Sequence, residues 1–300
     1  MNRFRKEEIS AANVNFAVPP TPFSWSVSRH LLFHHCRRAY FLHYYLAQGG
    51  WDPYADPLLR FVWSAKKYKT YSERLERSTE EILRFSFDTL RNVPPSFRLR
   101  MLAVRFQARI AALKEDWSSN ENEHSFDFGK ALSDLKSALA AFLDSETCSA
   151  IVSAQNLTLF NKAFKPSFFF NGTEVWYNPG LIWRENNQLT SLRIQFSKPS
   201  LDFIREQSDI FALSAWEHTR TEQTLSLYRY FSDGEWKEIQ WKGDCSSGVD
   251  RLHEDTRAMQ ELISGETVNL FDFPPESDER CLTCRFSAVC AAIMEQFGDV

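Results

Sequence analysis

Glycine is scarce, with 10 among 300 residues, and nowhere do glycines gather into a loop that cradles phosphates. Long apolar runs are missing too. No stretch approaches the ~20 residues that a bilayer-spanning helix needs. The opening Met1-Asn2-Arg3-Phe4-Arg5-Lys6-Glu7-Glu8 has no apolar centre of the kind a secretory leader carries. Internal repeats and low-complexity tracts are absent. A glycine-loop nucleotide binder and a helical membrane protein are thereby set aside, and the expectation is a cytoplasmic protein with no membrane partner.

What is present is an ordinary globular balance, 43% apolar and 25% charged, enriched to 15% aromatic by 26 Phe, 9 Trp and 9 Tyr. Such a chain can bury a large, rigid core. Its net charge of -4 hides an asymmetry. Residues 60 to 114 hold thirteen Lys or Arg against five acids, which leaves +8 there and -12 elsewhere.

The texture changes along the chain. A polar arm over residues 1–22 ends at Pro19-Pro20-Thr21-Pro22, and a helix capped by Ser26 or Ser28 follows, its Leu31, Leu32, Cys36, Tyr40 and Tyr44 on one side. From Leu58 to Leu143 the pattern is helical, broken at Pro94-Pro95 and over residues 118–123. Beyond Ile151 come short β-rich runs, Ser167 to Phe170, Thr173 to Tyr177, Leu181 to Trp183 and Leu189 to Phe196, separated by turn residues. A helix from Leu201 to Glu217, strands Gln223 to Phe231 and Trp236 to Trp241, and a helix from Asp250 to Ile263 lead to the final cysteines. These shifts suggest four segments: 1–57 an arm with its helix, 58–150 a basic helical insert, 151–245 a β-rich core and 246–300 a closing helix with the cysteines.

Three of the six cysteines, Cys281, Cys284 and Cys290, form a C-x2-C-x5-C group, while Cys36, Cys148 and Cys245 stand alone. In a reducing compartment such clustering points to an iron-sulfur cluster or a zinc ion in place of disulfides. Cys36, flanked by Arg37 and Arg38, is the candidate fourth ligand; the two arginines would offset a cluster's negative charge. Cys148 and Cys245 read as structural. His30 and His34, four apart on the first helix, could bind a metal, though packing or phosphate contact is the plainer use.

Ser26-Val27-Ser28-Arg29, Cys36-Arg37-Arg38-Ala39-Tyr40-Phe41-Leu42 and Cys281-x2-Cys284-x5-Cys290 together resemble PD-(D/E)XK nucleases of the RecB and AddB type. These carry a 4Fe-4S clamp, shared by CRISPR-associated adaptation exonucleases. The resemblance implies an α/β fold, with a restriction-endonuclease-like core sheet flanked by helices, a helical insert, and an iron-sulfur clamp on Cys36, Cys281, Cys284 and Cys290 joining the termini.

Hydrolysis in that family needs an acid after an apolar strand and an acid-x-Lys on the next, because two carboxylates hold a divalent ion and the lysine acts on water. In this sequence Pro179-Gly180 stands where Pro-Asp belongs, and Gln195-Phe196-Ser197 where acid-x-Lys belongs. Arg77 falls at the expected upstream histidine, while Gln207 resembles the family's later glutamine. No catalytic Mg2+ is therefore expected. Glu174, Glu185, Asp202, Asp209 and Lys198 are the nearby groups to which a displaced metal site could have moved.

The sevenfold spacing of Arg84, Arg91, Arg98 and Arg105, with Arg109 beside them, could lay a basic stripe along a phosphate backbone. Lys66, Lys67 and Lys69 interleave with Trp63, Tyr68 and Tyr71, a combination suited to single-stranded bases. Arg37, Arg38, Lys66, Lys67, Lys69, Arg98, Arg105 and Arg109 are thus the candidate DNA contacts, the alternative being an acidic partner protein. The expected role is a DNA-binding or scaffolding subunit beside an active nuclease or helicase in bacterial DNA processing or phage defence. Its rivals are an active metal-dependent nuclease with displaced ligands and a protein-interaction subunit.

Overall fold

The computed structural model describes residues 15–17, 23–118, 126–154, 158–159, 167–185, 187–265, 267–274 and 278–297. Most of the polar arm and most of the 118–123 break lie outside them. Within the arm, β1 (Asn15–Ala17) forms a strand.

After β2 (Ser24–Ser26), Ser26 accepts from the Arg29 N–H and starts α1 (Val27–His35). The single helix expected here is instead broken at Cys36. This residue is extended, with φ -165°; its N–H bonds back to Leu32, and its sulfur accepts from the Ala39 N–H to start α2 (Arg37–Phe41). One π-helical turn, Leu42–Leu46, follows.

The long helical region divides into α3 (Pro57–Lys67), α4 (Tyr71–Asp88), α5 (Pro95–Ser118), α6 (Phe128–Leu143) and α7 (Glu146–Ser153). Thr70 and Glu73 cap each other's backbone and set the α3–α4 break, a signal that hydrophobic spacing alone does not carry. Strands β3 (Thr158–Leu159), β4 (Ser167–Phe170), β5 (Thr173–Trp176), β6 (Leu181–Glu185) and β7 (Gln188–Gln195) follow. Then come α8 (Leu201–Thr219), β8 (Thr224–Ser232), β9 (Glu235–Trp241) and α9 (Cys245–Leu262). The chain closes with β10 (Thr267–Asn269), α10 (Asp278–Thr283) and α11 (Ser287–Phe297).

The fold is mixed α/β and divides into two compact units: residues 1–69, 169–176 and 252–300 in one, 70–168 and 177–251 in the other. These units interleave and do not follow the linear boundaries expected at 57, 150 and 245. In the first, β1 pairs antiparallel with β10, and β2 lies parallel to β5, Trp25 opposite Val175.

In the second unit, β3, β6, β7, β8 and β9 form a five-stranded sheet in that order. Strands β7 and β8 are parallel, joined through α8; the other pairings are antiparallel. Leu75, Ile82, Phe87, Phe106, Leu135 and Phe142 pack with Leu181, Leu192, Ile194 and Leu227 in one buried cluster. Helices α4 to α7 therefore share the sheet's core, whereas α3 belongs to the first unit. Strand alternation turns Arg193 and Tyr228 away from that cluster, and Tyr228 meets Phe203 of α8.

The arginine stripe does not form. Arg84 lies on α4, and Arg98 and Arg105 lie on α5, which starts anew at Pro95.

Candidate functional site

Strand register decides which residues of neighbouring strands face each other. Leu181 pairs with Leu192, which puts Gly180 opposite Arg193. Gln195, expected at the acid position, lies two residues further along β7 on the same side as Arg193. Ser197 is exposed beyond the end of β7. Gly180 has φ +81°, and a Cβ there would stand 2.4 Å from the Leu192 carbonyl oxygen. The backbone itself rejects an aspartate at this point.

Gly180, Arg193 and Gln195 border a cavity of about 210 Å³ whose opposite wall is α4, through Glu73, Glu76, Arg77 and Glu80. The cavity is not stripped of acids, as the sequence motifs alone imply. Glu73, Glu76 and Glu80 recur at helical spacing on one face, a signal that was readable in the sequence and was missed. Burial pushes the Glu76 carboxyl up to about 7, with the Glu73 charge adding, against the Phe196 N–H it accepts and the Arg193 charge. Glu80 accepts from Asn178 Nδ2 at 2.5 Å, and Arg193 donates to the Asn178 carbonyl. The Gln195 Oε1 is buried without a hydrogen-bond partner. Arg77, at the expected histidine position, pairs with Glu81 at 3.0 Å. Gln207 is buried on α8, its carbonyl accepting from Tyr177 Oη at 3.1 Å.

None of the displaced-ligand candidates borders this cavity. Glu174 belongs to the other compact unit, on β5. Glu185 sits at the far end of the β6–β7 hairpin. Asp202 pairs with Arg205, Asp209 accepts from the Asp244 N–H at 2.8 Å, and Lys198 is exposed.

All four candidate ligand cysteines are free thiols of the first unit. The kink at Cys36 and the α10–α11 turn bring them into mutual influence. Burial raises the Cys284 thiol, and Cys36 and Cys281 raise it further. Burial pushes Cys290 up to about 11 against the pull of Arg38, with Cys284 and Cys36 adding. Arg38 is fully buried; its Nε donates to the Phe273 carbonyl at 2.6 Å, and its Nη1 has no hydrogen-bond partner.

A buried, under-bonded guanidinium beside crowded thiols suits a group carrying negative charge. Thiolates on a single zinc stand about 3.8 Å apart, given Zn–S bonds of ~2.3 Å. Among the described residues no three of these sulfurs lie within 4.8 Å of one another. The side chains that do reach single-ion spacing are His30, His34 and Asp255.

The expected DNA contacts divide. Arg38 is buried as above. Arg98 is buried too, bonding the carbonyls of Val93, Val152 and Ala154 at 2.7 to 3.3 Å, so neither arginine presents its charge to a ligand from solvent. Tyr71 is half-buried and donates to Asp134 at 2.9 Å. Arg37 and Lys67 are exposed, while Lys66, Lys69, Arg105 and Arg109 are half-buried. Lys66 and Lys67 lie over the Trp63 ring at 5.7 and 4.8 Å, and Arg109 over Phe85 at 4.3 Å.

Positive charge gathers near His43, whose pKa is driven down to about 3 by burial and then by Lys66, Arg285 and Arg29. Trp51, Tyr54 and Tyr68 of the same unit expose 69%, 95% and 58% of their surfaces; of these open rings the sequence spacing marked out Tyr68 alone. Among the described residues no helix is long and apolar enough to cross a membrane.

No family model matches the chain, and no curated protein matches it. Among solved structures, the crystal structure of SSO0001 is similar with a TM-score of 0.29 and 18% identity, over 61% of this chain and 81% of that one. The likeness is too slight to carry an argument.

Proposed function

We propose that the chain is a catalytically degenerate, PD-(D/E)XK-like iron-sulfur protein. It would act as a DNA-binding or scaffolding subunit beside an active nuclease or helicase in bacterial DNA processing or phage defence. The observation that carries the reading is Gly180 opposite Arg193. Where hydrolysis needs two carboxylates there is no side chain on one strand and a guanidinium on the other, and a fixed cation repels the divalent ion that cleavage requires.

Cys36, Cys281, Cys284 and Cys290 would hold the cluster, with Arg38 offsetting its charge. The cluster supplies a cross-link between distant parts of the chain. DNA would meet exposed cations such as Arg37 and Lys67, and bases could stack on Trp51, Tyr54 and Tyr68.

The test is binding of short single- and double-stranded DNA across a salt series, with Mg2+ and Mn2+ cleavage assays alongside. Salt-dependent binding without cleavage is expected. Binding that ignores salt, or no binding, favours the protein-interaction subunit.

One observation favours a second reading. Glu73, Glu76 and Glu80 at the cavity are carboxylates on a new element, as a nuclease with displaced ligands requires. Robust cleavage abolished by Glu76→Gln would establish that reading and remove the first.

A further inference from the structure

His30 and His34 are one helical turn apart on α1, and in the same unit α9 brings Asp255 to both. His30 Nδ1 lies 2.5 Å from Asp255 Oδ2, and His34 Nε2 lies 2.8 Å from Asp255 Oδ1. Trp25 Nε1 donates to Asp255 Oδ2 at 2.9 Å. His30 and Asp255 are buried, whereas the His34 side chain is 54% exposed, so the group opens to solvent on one side.

We propose that His30, His34 and Asp255 form a binding site for a divalent transition-metal ion, with Zn2+ as the best chemical match and a fourth position left to water on the His34 side. Two imidazole nitrogens and one carboxylate oxygen are the donor set that borderline ions prefer, and three protein ligands with an open position are a recurring zinc arrangement. The Trp25 indole holds the carboxylate from behind, as outer partners do around metal sites.

The present spacings are those of hydrogen bonds. Ligands at ~2.0–2.2 Å from zinc stand about 3.3 Å apart, so the His30–Asp255 contact of 2.5 Å need open by about 0.8 Å and the His34–Asp255 contact of 2.8 Å by about 0.5 Å. The ion would displace whatever protons the imidazoles share with the carboxylate, and those protons leave to solvent. The site uses no sulfur, so it does not depend on how the cysteines are filled.

The rival is a purely hydrogen-bonded clasp between α1 and α9. Full-length protein, purified anaerobically, is titrated with Zn2+ by calorimetry, and the bound zinc is examined by X-ray absorption. The expected result is a zinc ion with a nitrogen and oxygen shell at ~2.0–2.1 Å, and binding weakened at least roughly tenfold in His34→Ala. His34 is half exposed, so its truncation leaves the core packed. Unchanged circular dichroism and iron content in the variant then assign the loss to the ligand. Zinc bound only by sulfur, no zinc bound at all, or equal affinity in folded His34→Ala would each overturn the proposal.

Discussion

At the scale of single residues, Gly180 and Glu76 define what the nuclease-like cavity can do. Gly180→Asp would supply the acid that the proposed nuclease likeness lacks, but it forces a side chain into the left-handed region and against the Leu192 carbonyl. It is expected to cost about 1–3 kcal/mol and to yield no cleavage with Mg2+, as chemical denaturation and a nuclease assay would show. Glu76 has a folded pKa raised to about 7. The neutral form is the one the fold prefers, so its contribution is fully present below the unfolded carboxylate pKa and is lost as pH rises toward 7. Glu76→Gln should therefore flatten the stability profile between roughly pH 4 and 8 and stabilise the protein at pH 8 by on the order of 1–2 kcal/mol, partial exposure having been discounted. A variant with the wild-type pH profile would contradict the assignment. The sequence placed Gly180 and Gln195 on their strands, but did not show which residue faces Gly180, which is Arg193. Gln195 and Arg193 differ by two residues, and a two-residue slip keeps every side chain on its own face, so alternation cannot detect it.

At the scale of elements, local chemistry and packing part company. The strands and α8 follow turn residues and periodicity closely, because those signals are carried within a few residues. The break before α4 depends on the reciprocal Thr70–Glu73 cap, and the kink at Cys36 depends on a sulfur accepting a backbone N–H. Neither has an apolar period. Arg98 shows the same limit: its place in a basic run suggests solvent, yet it bonds carbonyls at the end of α7 and thereby ties that end to α5. Arg98→Ala is expected to destabilise the protein by about 2–4 kcal/mol and to leave the salt dependence of DNA binding unchanged. Lys67→Ala, removing an exposed charge, should leave stability within about 0.5 kcal/mol and lower the salt slope by about one. Equal slopes for Lys67→Ala and wild type would take that lysine out of the interface.

At the scale of the whole molecule, the sequence could place the cysteines in a pattern but could not show how the chain returns on itself. Helices α4 to α7 of the expected insert share a core with the five-stranded sheet, and the two compact units each collect segments far apart in sequence. Such contacts are non-local, which is why composition and spacing did not draw the unit boundaries. Cys36 and the terminal trio are the exception. Their spacing suggested a meeting across 245 residues, and all four fall in one compact unit. A cross-link over so long a loop would add strongly to stability.

The most direct measurement is iron and acid-labile sulfide analysis of anaerobically purified protein, wild type beside Cys36→Ser, with the visible spectrum recorded. Four irons and four sulfides per chain, with broad absorption near ~400 nm that collapses in the variant, is the result the proposed cluster predicts. Stoichiometric zinc without iron, or an iron content that Cys36→Ser leaves untouched, would contradict it.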